Sequence, residues 1–492
     1  MKWLGLMAAC LVVGCSNLHG PVEGQSTARD HVIAVDWDGN YYPLPSNDAA
    51  RIDSRASFHA LKHCYTDNSG EACRDALQRH RDTTTAHFDG IFGQILAFNR
   101  SEGGKKRIVL YIHGGLNTRD GALERAVEAV GQMKSQGIYP IFINWRSGLM
   151  TSLRDHYFRI RNGQLSRLAP LSSPVYLLGD VLGTAAGAPV AWWKEAQHAF
   201  VSSVNREEKD RKLLTVGEDR IRYRRPVSEE TRRLGRTAWW WVTGLPKIVT
   251  TPAVHTIGKP AWNNMLRRVD VQFARPLDFS TGGWETGVRE VSALKPSAAP
   301  LPEKLPTPGT GATLLFAQRL QEFLEQHPDY QLTLIGHSMG GIVVNRILQN
   351  VPGLKVDDIV FMASADTLDN FLHISVPYVE RQLREKRDVR LYSLFLHPEN
   401  EDREISAGGF APSGSLLVWI DYAFGDPDYI LQRTAGRWSN MKEVLPLLKA
   451  NVRDHVYFKV FGITQDKCGQ PQEHGAFDDC TVPFWERSYW WQ

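Results

Sequence analysis

The stretch Gly336-His337-Ser338-Met339-Gly340 constrains the fold of this chain more than any other. The run Gln331-Leu332-Thr333-Leu334-Ile335 before it reads as a buried strand, and Ile342-Val343-Val344 after it opens a helical pattern. A serine between two glycines at a sharp strand-to-helix turn is held clear of the backbone, as a nucleophile must be, because the flanking residues carry no bulk. The pentapeptide alone is a weak signal. Its strand and helix context makes it specific.

Upstream, Arg107-Ile108-Val109-Leu110-Tyr111-Ile112 reads as a second short buried strand and runs straight into His113-Gly114-Gly115-Leu116-Asn117. Such a turn suits an oxyanion hole, since backbone N–H donors can approach a charged oxygen where no Cβ intervenes. One donor is expected from Gly115 or Leu116 and one from Met339, the residue after the serine. Read blandly, the turn is an ordinary glycine bend between a strand and a helix. Near the end of the chain, His474 lies on the polar loop Gln472-Glu473-His474-Gly475-Ala476-Phe477 after the strand pattern Val456 to Phe461. A core histidine would be unusual there.

With these three elements the chain resembles the α/β-hydrolase superfamily, and in particular its lipase and esterase members, whose order is oxyanion turn, serine, acid, histidine. The resemblance covers residues of about 90 to 162 and 310 to 490. It implies an α/β fold, a mostly parallel central sheet flanked by helices, and a Ser-acid-His triad on Ser338 and His474. The acid should follow the strand before the histidine strand. Val389 to Leu396 is that strand, and Glu399, Glu401 and Asp402 come directly after it. Glu401 is the choice, because the chain can turn at Pro398 before the side chain points back. Asp402 and Glu399 are close alternatives, and Asp366 is the candidate if the acid sits one strand earlier. The acid would fix the tautomer of the histidine and stabilise its imidazolium.

The N-terminus predicts export. Lys2 is followed by an apolar run from Trp3 to Val13, and Val12-Val13-Gly14-Cys15 resembles a bacterial lipobox, which implies cleavage after residue 14 and lipid on Cys15. The run is shorter than the roughly 20 residues a membrane span needs. A plain secretory signal is the simpler rival. Ser16 after the lipidated position implies the outer membrane, facing periplasm or surface. Of the six cysteines, Cys64, Cys73, Cys468 and Cys480 remain after Cys10 and Cys15 are set aside, an even number suited to disulfides. Neighbours in sequence pair most simply, Cys64 with Cys73 and Cys468 with Cys480. No C-x-x-C pair or H-x-x-x-H spacing points to a metal, and the chemistry calls for no cofactor.

The expected organisation is a signal peptide over 1–14, a tether over 15–29, a first part of the core over 30–162, a large mainly helical insertion or lid over 163–309, and the rest of the core over 310–492. His31 to Tyr42 and Gly90 to Phe98 carry strand-like alternation, and Ala56 to His80 between them reads as helical. Gly121 to Ser135 reads as a helix, Tyr139 to Trp145 as a strand, and Gly311 to Gln326 as the helix that feeds the serine strand. Pro296, Pro300, Pro302, Pro306 and Pro308 mark a non-helical linker.

Substrate choice is expected to lie in the insertion, where loops over strand ends wall the sites of open α/β sheets. Trp192-Trp193 and Trp239-Trp240-Trp241 flank a basic stretch from Arg220 to Arg236, a pattern suited to a membrane surface. The alternative is that these tryptophans pack the insertion on the core. Pro174 to Trp193 is apolar apart from Asp180, but its three glycines and two prolines argue against a spanning helix, and it reads as a lid or buried element. Trp262 to Phe273 has core-like helical spacing. A formal net charge of +3 gives no case for nucleic acid. The expected function is hydrolysis of carboxylic esters, lipid esters first, by a lipid-anchored enzyme whose oligomeric state the sequence leaves open. The rival is a non-catalytic envelope lipoprotein that uses the same fold as a binding scaffold.

Overall fold

The computed structural model describes residues 29–42, 71–101, 104–115, 119–161, 164–165, 168–204, 221–223, 230–274, 311–404, 412–462, 470–478 and 483–491. Cys15, Cys64, Leu116, Cys468, Cys480 and the proline-rich linker lie outside them, as do the side chains of Cys73 and Trp239 to Trp241.

The strands are β1 (Val32–Val35), β2 (Arg107–Ile112), β3 (Ile138–Trp145), the small hairpin pair β4 (Ile160–Arg161) and β5 (Gln164–Leu165), β6 (Ile221–Tyr223), β7 (Gln331–His337), β8 (Asp358–Met362), β9 (Arg390–Phe395) and β10 (Val456–Val460). All but β4 and β5 form one sheet in the order β1-β3-β2-β7-β8-β9-β10-β6. Every pairing in it is parallel, with the three-residue β6 extending its far edge. The protein is of the α/β class. Central strands β3, β7 and β8 are buried almost throughout, as parallel strands covered on both faces must be.

From β2 the chain steps outward to β3, which pairs on its far side with the earlier strand β1, and from β7 it steps the other way through β8 and β9 to β10. The order therefore reverses between β2 and β7. Such a switch point opens a crevice at the carboxyl ends of the two strands, because their connections depart to opposite sides. Register places Ile112 at the end of β2 beside Gly336 in β7, so the His113 turn and Ser338 emerge side by side.

The helices are α1 (Glu71–Ser101), α2 (Arg119–Ser135), α3 (Leu149–Phe158), α4 (Ala169–Val204), α5 (Glu230–Val271), α6 (Ala312–Gln326), α7 (Gly340–Asn350), α8 (Val376–Arg384) and α9 (Pro398–Arg403), with shorter turns between them. Phe92 of α1 stacks on Phe316 and Phe323 of α6. At the chain's end, Phe484 packs on Tyr111 and Trp490 on Tyr392.

Two sequence expectations are corrected here. Gly90 to Phe98 belongs to α1, not to a strand. Its apolar residues Phe88, Ile91, Phe92 and Ile95 recur at three- and four-residue spacing and are buried, a helical period that a short alternating window conceals. Pro174 to Trp193 is not a buried element. It forms a continuous stretch of α4 with Pro174 and Pro189 inside it, and most of its large apolar side chains are exposed.

The described residues between β5 and α6 are mainly helical, and α4 and α5 pack on each other and on α3. The returning end of α5 is anchored by a buried ion pair, Arg268 to Asp155 at 2.9 Å, and Arg268 also donates to the Arg146 carbonyl at 2.8 Å. Asn264 donates to the Ser152 carbonyl, and Trp262, Met265, Val269 and Phe273 join the core as their spacing suggested. Removing one partner of a buried pair strands the other charge. Asp155→Ala should therefore cost about 3 to 5 kcal/mol in urea unfolding, while a double apolar replacement, Asp155→Leu with Arg268→Met, should recover most of that loss.

Candidate active site

Ser338 sits at the end of β7 with φ of 52°, a left-handed conformation that a non-glycine residue adopts only where its surroundings impose it. Its N–H donates to the Met362 carbonyl at 2.9 Å, and its own carbonyl accepts from Gly341 and Ala365. The flanking glycines are required by close approach. A Cβ on Gly340 would come within 2.1 Å of the Ile112 carbonyl oxygen, and one on Gly336 within 2.7 Å of the Gly340 backbone. α7 begins directly beneath, with Met339 as its N-terminal cap.

The His113 turn lies against this elbow. A Cβ on Gly114 would meet Cβ of Ser338 at 2.9 Å, and one on Gly115 would meet the Met339 sulphur at 2.7 Å. His113 pins the turn: Nδ1 lies 2.8 Å from the Gly114 carbonyl, and Nε2 accepts from the Trp145 N–H at 3.2 Å. The second bond requires an unprotonated Nε2, and burial accordingly pushes the ring down to about 4. Ser147 also donates to the Gly114 carbonyl. Gly115 and Met339 thus meet beside Ser338.

The structure brings His474 to Ser338. Nε2 of His474 lies 2.8 Å from Oγ of Ser338, although the two residues are 136 positions apart in sequence. The ring is buried, and burial, assisted by the neighbouring His337, pushes it down to about 3 despite the opposing charge of Asp478. It is neutral at ordinary pH. The His474 backbone N–H donates to Glu404 at 2.7 Å.

Glu401 lies in α9 and is buried, yet no hydrogen bond joins it to His474. Its two carboxylate oxygens and Nδ1 of His474 are all buried without a hydrogen-bond partner. Arg437 Nε stands 3.5 Å from Glu401 and ties the same region to Asp402 and Asp421, each at 2.9 Å. Burial pushes Glu401 up to about 8 against the pull of Arg437, with Glu404 and Asp402 adding to the rise. Burial likewise lifts Glu404 to about 7. Of the other carboxylates, Asp402 is held by Arg437, and Glu399 is half-buried in the first turn of α9. Asp366 is committed elsewhere, accepting from Asn345, Asn370 and the Thr367 N–H.

Sequence reasoning missed a second layer of the site. His337, inside the pentapeptide, places Nε2 2.9 Å from the His474 carbonyl and Nδ1 3.3 Å from Asp478. Burial opposes charge on His337, but Asp478 outweighs it and holds the ring above the ordinary histidine range. Burial alone would raise Asp478. His337 and Arg125 overcome it, with help from the Tyr111 hydroxyl, and hold the carboxylate below the usual range. A charged His337 is thus a donor that fixes the backbone of the residue whose side chain meets Ser338. The one signal available in advance was that Asp478 follows His474 by a single helical turn. Among the described residues no cluster of His, Cys, Asp and Glu could hold a metal ion.

No family model, curated protein or solved structure matches this chain.

A carboxyl group kept neutral by burial binds a proton that the unfolded chain releases above pH 4.5, so Glu401 should make stability fall as pH rises from 4.5 to about 8. Below that window both states hold the proton and the fall is absent. Glu401→Gln, neutral at every pH, should flatten this decline in urea unfolding measured across the range.

Proposed function

We propose that this protein is a serine hydrolase of α/β-hydrolase fold that cleaves carboxylic esters through an acyl-enzyme on Ser338. The 2.8 Å contact between Ser338 Oγ and His474 Nε2, on a strained turn at the sheet's switch point, is the observation that carries this reading. A neutral imidazole can take the serine proton as the hydroxyl attacks, then return it to the leaving alcohol, and activate water in the second half of the cycle. The developing oxyanion would be met by backbone N–H groups of Met339 and of Gly115 or Leu116, and Gly115 lies against Met339.

For Nε2 to accept the serine proton, the ring's own proton must sit on Nδ1, and the imidazolium then formed needs a negative partner. Glu401 is the proposed acid; burial keeps it protonated in this arrangement, so it would serve as that partner only once ionised against Nδ1. It follows β9, as the chain order requires, and both it and Nδ1 are buried without hydrogen bonds. Glu404 is their common neighbour, since it holds the His474 N–H and raises Glu401. His337 and Asp478 act as positioning residues behind His474. We further propose lipid esters as the substrate class and a lipidated Cys15 as the anchor to the cell envelope, outer membrane first, both resting on the N-terminal pattern and the apolar, tryptophan-bearing insertion.

The unpartnered Nδ1 is the feature that favours the rival reading, a scaffold that keeps the fold without turnover. A fluorophosphonate probe separates the two. Ser338 should be the single residue labelled, and Ser338→Ala or His474→Ala should lower ester hydrolysis by about three orders of magnitude or more with unchanged circular dichroism. Full activity in Ser338→Ala would overturn the proposal. Glu401→Ala should cost less than either, and a strong loss in Asp366→Ala alone would move the acid to the end of β8.

A further inference from the structure

α4 has its polarity reversed. The stretch Ala169–Gln197 is long and apolar enough to cross a membrane by composition, yet only 11% of its most apolar window is buried. Leu171, Val175, Leu178, Leu182 and Trp193 recur at helical spacing along one stripe and are exposed, Leu171 at 79% and Trp193 at 65%. The opposite stripe is small and polar, and it is the one that faces the protein. Ser173 donates to the Ala169 carbonyl and to that of Tyr157; Asp180 accepts from the Tyr157 hydroxyl at 2.8 Å and meets His156 at 3.0 Å; Ala191 is buried. Gly183 and Gly187 turn toward Thr256 of α5, where their lack of side chain lets the two helices close. A helix exposed to water carries its polar residues outward. Here the charge is folded in and the branched apolar side chains are left out.

Two attachments decide how this helix can lie. Near its middle, Asp180 is held by α3, which follows β3. Some 15 residues on, Glu195 accepts from the Ser413 N–H at 3.2 Å and Lys194 pairs with Asp426, in the segment that follows β9. At about 1.5 Å per residue these points are roughly 22 Å apart, close to the four strand spacings of about 4.8 Å that separate β3 from β9. α4 therefore crosses the carboxyl edge of the sheet, the edge on which Ser338 lies. Tied at both points, it cannot also pass through a bilayer.

We infer that the outer stripe of α4 docks on a lipid bilayer, with the helix lying in the interface and the carboxyl edge of the sheet turned toward the membrane. Between Ala169 and Trp193 the only charged residue is Asp180, which points inward, so the stripe lacks the polar rim that a protein partner's interface carries. Its apolar members are aliphatic along most of its length, and the exposed Trp193 stands at one end, where a helix lying in the interface places tryptophan against the headgroups. The inference stands apart from the reading of Ser338, since docking requires no turnover.

The test uses the full chain carrying Ser338→Ala, so that lipid is not consumed and a failure of the hydrolase reading has no bearing. Vesicles of phosphatidylcholine with phosphatidylglycerol are the probe. Hydrogen exchange followed by mass spectrometry should show peptides from 169–197 slowed when vesicles are added, whatever the N-terminal anchor contributes. Val175→Asp with Leu178→Asp and Leu182→Asp should abolish that slowing and weaken flotation with vesicles by roughly tenfold or more in a Cys15→Ala background. If the triple variant misfolds, Leu171→Asn with Leu182→Asn provides a milder reading of the same effect. Unchanged exchange on adding vesicles would overturn the inference. So would slowing that appears without lipid as protein concentration rises, with a dimer on sizing, because the occupant would then be a second copy of the chain.

Discussion

The close approach of two backbones at the ends of β2 and β7 governs the rest of this protein. Gly340 lies so near the Ile112 carbonyl that no side chain fits between them, and that proximity forces the chain to leave β7 through a left-handed Ser338 before α7 can begin. Strain of this kind costs about 1 to 3 kcal/mol and persists only where its surroundings over-determine it. Here the hydrogen bonds of Ser338 to Met362, Gly341 and Ala365 fasten the residue from both sides. The same contact draws Gly114 and Gly115 over the serine, so one steric fact sets Ser338 and the His113 turn side by side.

Around this point the charges are arranged so that the ring beside Ser338 stays neutral while its neighbour is charged. His474 and His337 are both buried in adjoining positions, yet Asp478 lies on the side of His337 and no acceptor lies on Nδ1 of His474. Desolvation decides the first ring and a buried ion pair decides the second. Arg437 plays a comparable part behind Glu401. It faces three carboxylates, gives its better geometry to Asp402 and Asp421, and leaves Glu401 to the cost of burial. The carboxyl nearest to completing the proposed triad is thus held uncharged in this arrangement.

The two long helices between β3 and β7 extend this logic to the surface. The Arg268–Asp155 pair fastens the return of α5 beside the end of β3, and Asp180 and Glu195 fasten α4 across the carboxyl edge. Polar side chains that would ordinarily face water are used as attachments. The apolar stripe left outside follows directly from spending them inward, and it lies on the same edge of the sheet as the elbow.

Much of the site was legible in the chain itself. The glycines about Ser338, the His-Gly-Gly turn after an apolar strand and the terminal histidine are local patterns, and each depends on chain geometry that a few neighbouring residues dictate. The parallel sheet was legible too, because strands buried on both faces need continuous apolar runs. Other features depended on distance in space. Glu404, His337, Asp478 and Arg437 gain their roles from partners elsewhere in the chain, 137 residues away for His337 and His474, and apart from the spacing of Asp478 from His474 nothing in their immediate sequence separates them from solvated polar groups. The alternation at Gly90 to Phe98 fitted a strand, but burial against α6 on a helical period decided otherwise. Likewise the apolar composition of Pro174 to Trp193 was plain in sequence, while its direction was not. Composition sets how much apolar surface a helix carries, but only the attachments at its two ends determine whether that surface faces the core or the outside.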